Sequence, residues 1–148
     1  MLGLNWIEDY LKAGRPETPK KQLAMLAHSG DHKIRMRVAE NSGTPVEVLE
    51  YLSKDENSDV RLAVATNPNS TLAMINMLAY DTDPTVRHGL AEDPHTPFDV
   101  LTILLKDANP YVSCRACKTM QALGLLKPEP AESQRLYMWT GFNRQRFA

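Results

Sequence analysis

The residues with the clearest potential for chemistry are two cysteines and four histidines. Cys114 and Cys117 form a C-x-x-C pattern, which can bind zinc or carry out dithiol exchange. No second pair accompanies it, and structural zinc normally takes four ligands. The histidines occupy unrelated positions, and none is arranged with a nucleophile as in a hydrolase motif: His28, His32, His88 and His95. We therefore expect no metal, no cofactor and no catalytic residue, and a chain that is not an enzyme.

Arginines and aspartates recur at a fixed interval of 26 residues. The arginine column is Arg35, Arg61 and Arg87, and the acidic column is Asp55, Asp81 and Asp107. The arginines could form a track for phosphate groups. They could equally form a ladder, in which each guanidinium binds a carboxylate or the helix-end carbonyls of a neighbouring unit. Because each arginine has a matching acid, we favour the structural ladder.

The same interval governs the apolar residues and defines a repeated unit. Three columns keep it through the chain: Leu23, Leu49, Ile75 and Leu101; Leu26, Leu52, Leu78 and Leu104; Ile34, Val60, Val86 and Val112. Within a unit the apolar residues follow helical spacing, and no stretch alternates like a half-buried strand. The pattern predicts an all-α chain of four units, an α-solenoid in which each unit buries its apolar face against the next.

Each unit is predicted to contain two short helices. Thr44 and Thr96 stand where the N-cap of the first helix is expected, each with a proline at the following, first helical position. Glu47 would complete a capping box with Thr44. Asn67-Pro68 is expected to end the second helix, because proline disfavours the helical conformation in the residue before it.

Residues 1–148 are predicted to form a single repeat domain. Residues 1–17 would form an N-terminal helical cap whose Trp6, Ile7 and Tyr10 face the first unit. Residues 18–120 would form the four repeats, and residues 121–148 a C-terminal cap and tail.

The columns also assign a place to the two cysteines. Cys114 shares its column with Met36, Leu62 and His88, and Cys117 shares its column with Ala39, Ala65 and Ala91. Both columns hold mostly small or apolar side chains, and a reduced cysteine behaves as a small hydrophobic residue. We expect both cysteines to pack in the core.

The repeated unit resembles the leucine-rich repeat variant family. The shared features are, in order, a Thr-Pro, two leucines, an aspartate, a Val-Arg and an Asn-Pro. The match covers roughly residues 14 to 120. The last unit, around Asp107 to Val112, is also similar to a HEAT repeat. The resemblance implies a right-handed superhelix that pairs an α-helix with a 3₁₀-helix. Some family members carry an N-terminal iron–sulfur segment with clustered cysteines. We expect no such cofactor in this chain, because no cysteine precedes Cys114.

Composition narrows the class of partner. Seventeen basic against eighteen acidic residues give a net charge of −1, which argues against a general polyanion binder. No apolar run approaches the roughly 18 residues of a membrane span, and the first residues include acids where a secretory signal would have basic residues. We therefore expect no membrane partner. Because the chain has only two cysteines, we also expect a reduced, cytoplasmic protein.

The sequence leaves two functions open, and each belongs to a different class of protein. The first is a non-enzymatic scaffold that binds an unidentified protein on the face of the second helices. Exposed positions there vary from unit to unit, and the small Gly89 would leave room for a partner. The predicted binding residues are Lys33, Arg37, Asp59, Gly89, Tyr111, Arg115 and Lys118. The alternative is a nucleic-acid-binding module that uses Arg37, Arg115, Lys118 and the arginines of the tail.

The C-terminal tail mixes basic and aromatic residues. It contains three arginines (Arg135, Arg144 and Arg146) and four aromatics (Tyr137, Trp139, Phe142 and Phe147). Such a mixture can stack on single-stranded bases or dock on a partner as a peptide. We favour a lid in which residues 137–142 cover the last repeat, with residues 144–148 free.

Overall fold

The computed structural model of the chain describes the backbone of residues 2–127 and the side chains of residues 5–127, and within this part the regular elements are α-helices joined by turns. Its helices are α1 (Leu2–Gly14), α2 (Lys20–Leu26), α3 (His32–Glu40), α4 (Val46–Leu52), α5 (Ser58–Ala65), α6 (Leu72–Leu78), α7 (Pro84–Glu92), α8 (Phe98–Leu104) and α9 (Pro110–Ala122). The all-α prediction is confirmed for these residues. The predicted lid, residues 137–142, and the rest of the tail lie outside the described part.

The helices follow the 26-residue interval of the sequence. The starts of α2, α4, α6 and α8 are spaced by this interval, and so are the starts of α3, α5, α7 and α9. Both helices of each pair are α-helical. The 3₁₀-helix implied by the family resemblance is not found among residues 2–127.

The odd-numbered helices form the continuous part of the structure. Each of α1, α3, α5 and α7 packs on the next odd-numbered helix, whereas each even-numbered helix contacts the odd-numbered helices that flank it in the chain. The three apolar columns are buried between these two sets, with Ile75 as the one half-buried member. The buried apolar residues of these helices therefore form a single core.

The predicted N-caps are wrong. Helices α4 and α8 begin at Val46 and Phe98, and no side chain caps either one. The Thr44 hydroxyl instead donates to the Val38 carbonyl at 2.6 Å, and the Thr96 hydroxyl to the Leu90 carbonyl at 2.7 Å. Both carbonyls lie in the last turn of an odd-numbered helix, where backbone acceptors have no partner within the helix. The threonines thus close the preceding helix, and Glu47 completes no capping box.

Helix α1 covers one end of the stack, as the sequence predicts, with one exception. Trp6 stacks on Tyr10 with ring centroids 5.2 Å apart, and its indole N–H donates to Asp31 at 2.7 Å. Both rings pack against the core. Ile7 is exposed, because successive residues of a helix point about 100° apart and Trp6 takes the inward position.

The prediction that both cysteines pack in the core is also wrong. Cys114 is exposed and Cys117 is half-buried. The preceding column members Ala39, Ala65 and Ala91 are buried. Both cysteines lie on α9, the last helix of the described residues.

None of the helices in residues 2–127 has both the length and the apolar character that crossing a membrane requires.

Candidate functional site

The arginine column forms the structural ladder favoured by the sequence. Arg35 donates from Nε and Nη2 to the Asp55 carboxylate at 2.7 and 2.9 Å, and Arg61 donates in the same way to Asp81 at 2.7 and 2.8 Å. Arg87 repeats this geometry with Asp107 at 2.7 and 3.1 Å. Each pair links an odd-numbered helix to the turn after the even-numbered helix of the next unit.

Backbone contacts make the ladder continuous. Nη1 of Arg61 donates to the Asp55 carbonyl at 2.8 Å, and Nη1 of Arg87 donates to the Asp81 carbonyl at 2.6 Å. Asp55 therefore accepts hydrogen bonds from Arg35 through its carboxylate and from Arg61 through its backbone carbonyl. Asp81 accepts in the same way from Arg61 and Arg87. The guanidinium groups have their donors directed at protein acceptors, which leaves little capacity for a phosphate track.

The environment of the ladder shifts the ionisation of its acids. Burial raises the pKa of Asp55 and Asp81, but the arginine and backbone hydrogen bonds outweigh burial and hold each pKa below its ordinary value. At Asp107 the hydrogen bond from Arg87 is the largest influence and lowers the pKa. The arginine pKa values are raised, mainly by the same hydrogen bonds.

We expect these three pairs to make the fold sensitive to acid. Because the folded-state aspartate pKa values lie below the unfolded value of about 3.9, their stabilisation is present above pH ~4 and is lost as the pH falls through the folded values. Urea unfolding at pH 7 and at several lower pH values measures this loss. Asp81→Asn should show a shallower decline than the wild type, and equal slopes would contradict the assignment.

A second ladder, formed by asparagines, was missed by the sequence analysis. Nδ2 of Asn41 donates to the carbonyls of Ala13 and Arg15, each at 2.8 Å. Nδ2 of Asn67 donates to the carbonyls of Ala39 at 2.6 Å and Asn41 at 3.0 Å. Both side chains are buried. Their spacing of 26 residues was the signal that could have revealed them.

The predicted binding residues lie on the odd-numbered helices but differ in exposure. Lys33, Asp59, Tyr111 and Lys118 are exposed, Tyr111 with 79% of its surface free. Arg37 and Arg115 are half-buried, and each is paired, Arg37 with Glu40 at 2.9 Å and Arg115 with Glu92. Arg37 also lies over the Tyr10 ring, 5.3 Å from its centroid.

Gly89 does not leave the room that the sequence suggested. A Cβ built at Gly89 would overlap a methyl group of Leu62, which already occupies the space beside it. Leu62 and Gly89 instead form part of the floor of an open depression of about 490 Å³ between the odd-numbered helices.

Acidic groups surround this depression. Its lining includes Glu40, Asp59, Glu92 and Asp93, with Met36 and Ala63 as further apolar floor residues. Glu40 and Glu92 are neutralised by their arginines, while Asp59 has no ion pair within the described residues. The floor is apolar and the rim carries net negative charge.

Comparison with known proteins leaves the resemblance as a prediction. No family model, curated protein or solved structure matches the chain. Within residues 5–127, no group of three or more potential metal-ligating side chains comes together.

Proposed function

We propose that the chain is a non-enzymatic interaction module, an α-solenoid of four two-helix units that binds a protein partner. The partner would bind the surface formed by the exposed residues of α3, α5, α7 and α9, which we call the odd-helix face. The recurring helix starts and the continuous packing of the odd-numbered helices support the solenoid. Its right-handed superhelix is proposed from the resemblance to leucine-rich repeat variants.

The contrast between buried and exposed columns carries the functional proposal. The buried column Ile34, Val60, Val86 and Val112 stays aliphatic in every unit. The adjacent exposed column changes from Lys33 to Asp59, Thr85 and Tyr111. The repeated buried residues allow the units to pack on one another. The varied exposed residues give each unit a different surface to present to a partner.

The odd-helix face also defines the chemistry of the partner. An apolar side chain fits the floor formed by Met36, Leu62 and Ala63, and a basic side chain fits the rim beside Asp59. Tyr111 adds an exposed aromatic residue, a type enriched among binding hot spots. A polyanion is disfavoured, because the rim is acidic and Arg37 and Arg115 are each paired with a glutamate.

Affinity capture from the native cell tests this proposal with matched variants. Asp59→Arg and Tyr111→Ala should each reduce recovery of the captured protein by roughly ten-fold or more, the loss expected for a hot spot. Lys21→Ala is the control, because Lys21 is exposed on α2, away from the odd-helix face. Equal recovery with all three variants would contradict the proposed face.

The nucleic-acid alternative is tested in the same preparation. Binding to the protein partner should survive nuclease treatment. Random single- and double-stranded oligonucleotides should show no affinity that falls steeply as salt rises. Loss of capture with nuclease, or such a salt dependence, would replace the protein partner with a nucleic acid.

A further inference from the structure

The even-numbered helices present a second surface, which the proposed function does not use. From Asn67 to Tyr80 the chain carries no charged residue, although 24% of the whole chain is charged. Within this stretch Leu72 is 56% exposed, Met77 42% and Tyr80 70%. Helix α6 therefore places an uncharged, largely apolar strip in the middle of the even-helix face.

Exposed apolar side chains extend this strip onto the neighbouring helices. Val46 and Tyr51 are exposed on α4, and Phe98 is exposed on α8. Exposed apolar residues on three neighbouring helices are typical of a surface that binds a partner.

Charges on α4 and α8 flank the strip in an ordered way. Glu47 and Asp99 occupy the same position in the first turn of the two helices, and Lys54 and Lys106 occupy the same position just after their ends. All four are exposed, and none is in an ion pair within the described residues. On α6 these two positions hold Ala73 and Tyr80.

We propose that a second copy of this chain docks on the even-helix face, related by a two-fold axis that sets α6 antiparallel to α6 of the other copy. The antiparallel arrangement brings the start of each helix opposite the end of its counterpart. Glu47 then meets Lys54 of the other copy, and Asp99 meets Lys106. On α6 the large Tyr80 meets the small Ala73, so that charge and size are both complementary.

The same positions exclude the parallel arrangement. A two-fold axis along the helices would place α4 over α8 of the other copy, start against start. Glu47 would then face Asp99, and Lys54 would face Lys106, which opposes like charges at both ends. At α2 the corresponding residues are Lys21 and His28, which cannot complement each other. The interface therefore spans α4, α6 and α8, and the two-fold symmetry closes it as a dimer.

Sedimentation equilibrium of the full chain tests the dimer. Over about 1 to 100 μM the wild type should shift towards twice the 16.6 kDa of one chain. Met77→Glu should weaken association by at least about ten-fold, because it places a charge at the centre of the apolar strip. Leu11→Glu is the matched control, because Leu11 is an exposed apolar residue of α1, outside α4, α6 and α8, and it should leave association unchanged.

A charge swap distinguishes the interface from a general loss of folding. Lys54→Glu should weaken the dimer, because the introduced carboxylate would face Glu47 of the other copy. The double variant Glu47→Lys/Lys54→Glu should restore it, since the two charges are complementary again. A wild type that stays monomeric, a dimer that survives Met77→Glu, or a double variant that is not restored would each overturn the proposal.

Discussion

Replacing Arg61 with methionine is expected to lower the free energy of unfolding by about 3 kcal/mol, the range seen when one partner of a buried pair is removed. The Asp81 carboxylate, whose side chain is only 6% exposed, would lose two guanidinium hydrogen bonds. The Asp55 carbonyl would lose its donor as well. Urea unfolding at pH 7, followed by circular dichroism, measures the change.

Lys12→Ala provides the matched control for a surface pair. Lys12 bonds to Glu8 one helical turn away, and the Glu8 side chain is largely exposed. Its removal should change the free energy of unfolding by no more than about 0.5 kcal/mol. A similar loss in Arg61→Met and Lys12→Ala would show that the ladder does not hold the units together.

Replacing Asn67 with aspartate is expected to lower the free energy of unfolding by about 2 to 3 kcal/mol. The change removes two buried donor hydrogen bonds, to the carbonyls of Ala39 and Asn41, and brings an acidic oxygen against both acceptors. Asn67 Oδ1 still accepts from the Asn69 N–H in either case. The contact with Asn69 therefore holds the side chain in its orientation, so that the introduced carboxylate oxygen faces the two carbonyls in place of a donor.

The reverse substitution is available one unit later. Asp93 occupies the same column and accepts from the His95 N–H at 2.8 Å, as Asn67 does from Asn69. Asp93→Asn would supply the missing donor and should raise the free energy of unfolding by about 1 kcal/mol. Thermal and urea unfolding of both variants test the pair. Changes of the same sign in both would contradict the asparagine ladder.

The sequence predicted the contacts that repeat from unit to unit. The arginine ladder was predictable because donor and acceptor columns share one period, so that one correct pair implies the others. The exposure of Cys114 was not predictable in this way, because the earlier members of its column, Met36, Leu62 and His88, are themselves only half-buried. The residue types of a column do not specify how far each member is covered.

Side-chain direction was the second limit. Thr44 and Thr96 have the residue type and the spacing of N-caps, yet both hydroxyls turn back to the preceding helix. Gly89 is small, but a leucine from α5 fills the space that its size suggested was open. The contacts of the threonine hydroxyls and the space beside Gly89 depend on which neighbouring groups lie next to these residues. The spacing of residues in the sequence does not specify those neighbours.

Of the predicted binding residues, Lys33, Asp59, Tyr111 and Lys118 are exposed, whereas Arg37, Gly89 and Arg115 are half-buried. The nucleic-acid alternative relied on Arg37 and Arg115, but Arg37 pairs within its own helix and Arg115 pairs with Glu92 of the preceding unit. The pairing across units is set by the stack and cannot be read from one helix.

Site-specific photo-crosslinking in the native cell tests the central claim, that a protein partner contacts the odd-helix face. A photoreactive residue at Thr85, exposed on α7 in the variable column, should give one discrete product with a second protein. The same residue at Lys21, on α2, should not give that product. A Thr85 product that contains only nucleic acid, or a partner captured equally from both positions, would contradict the account.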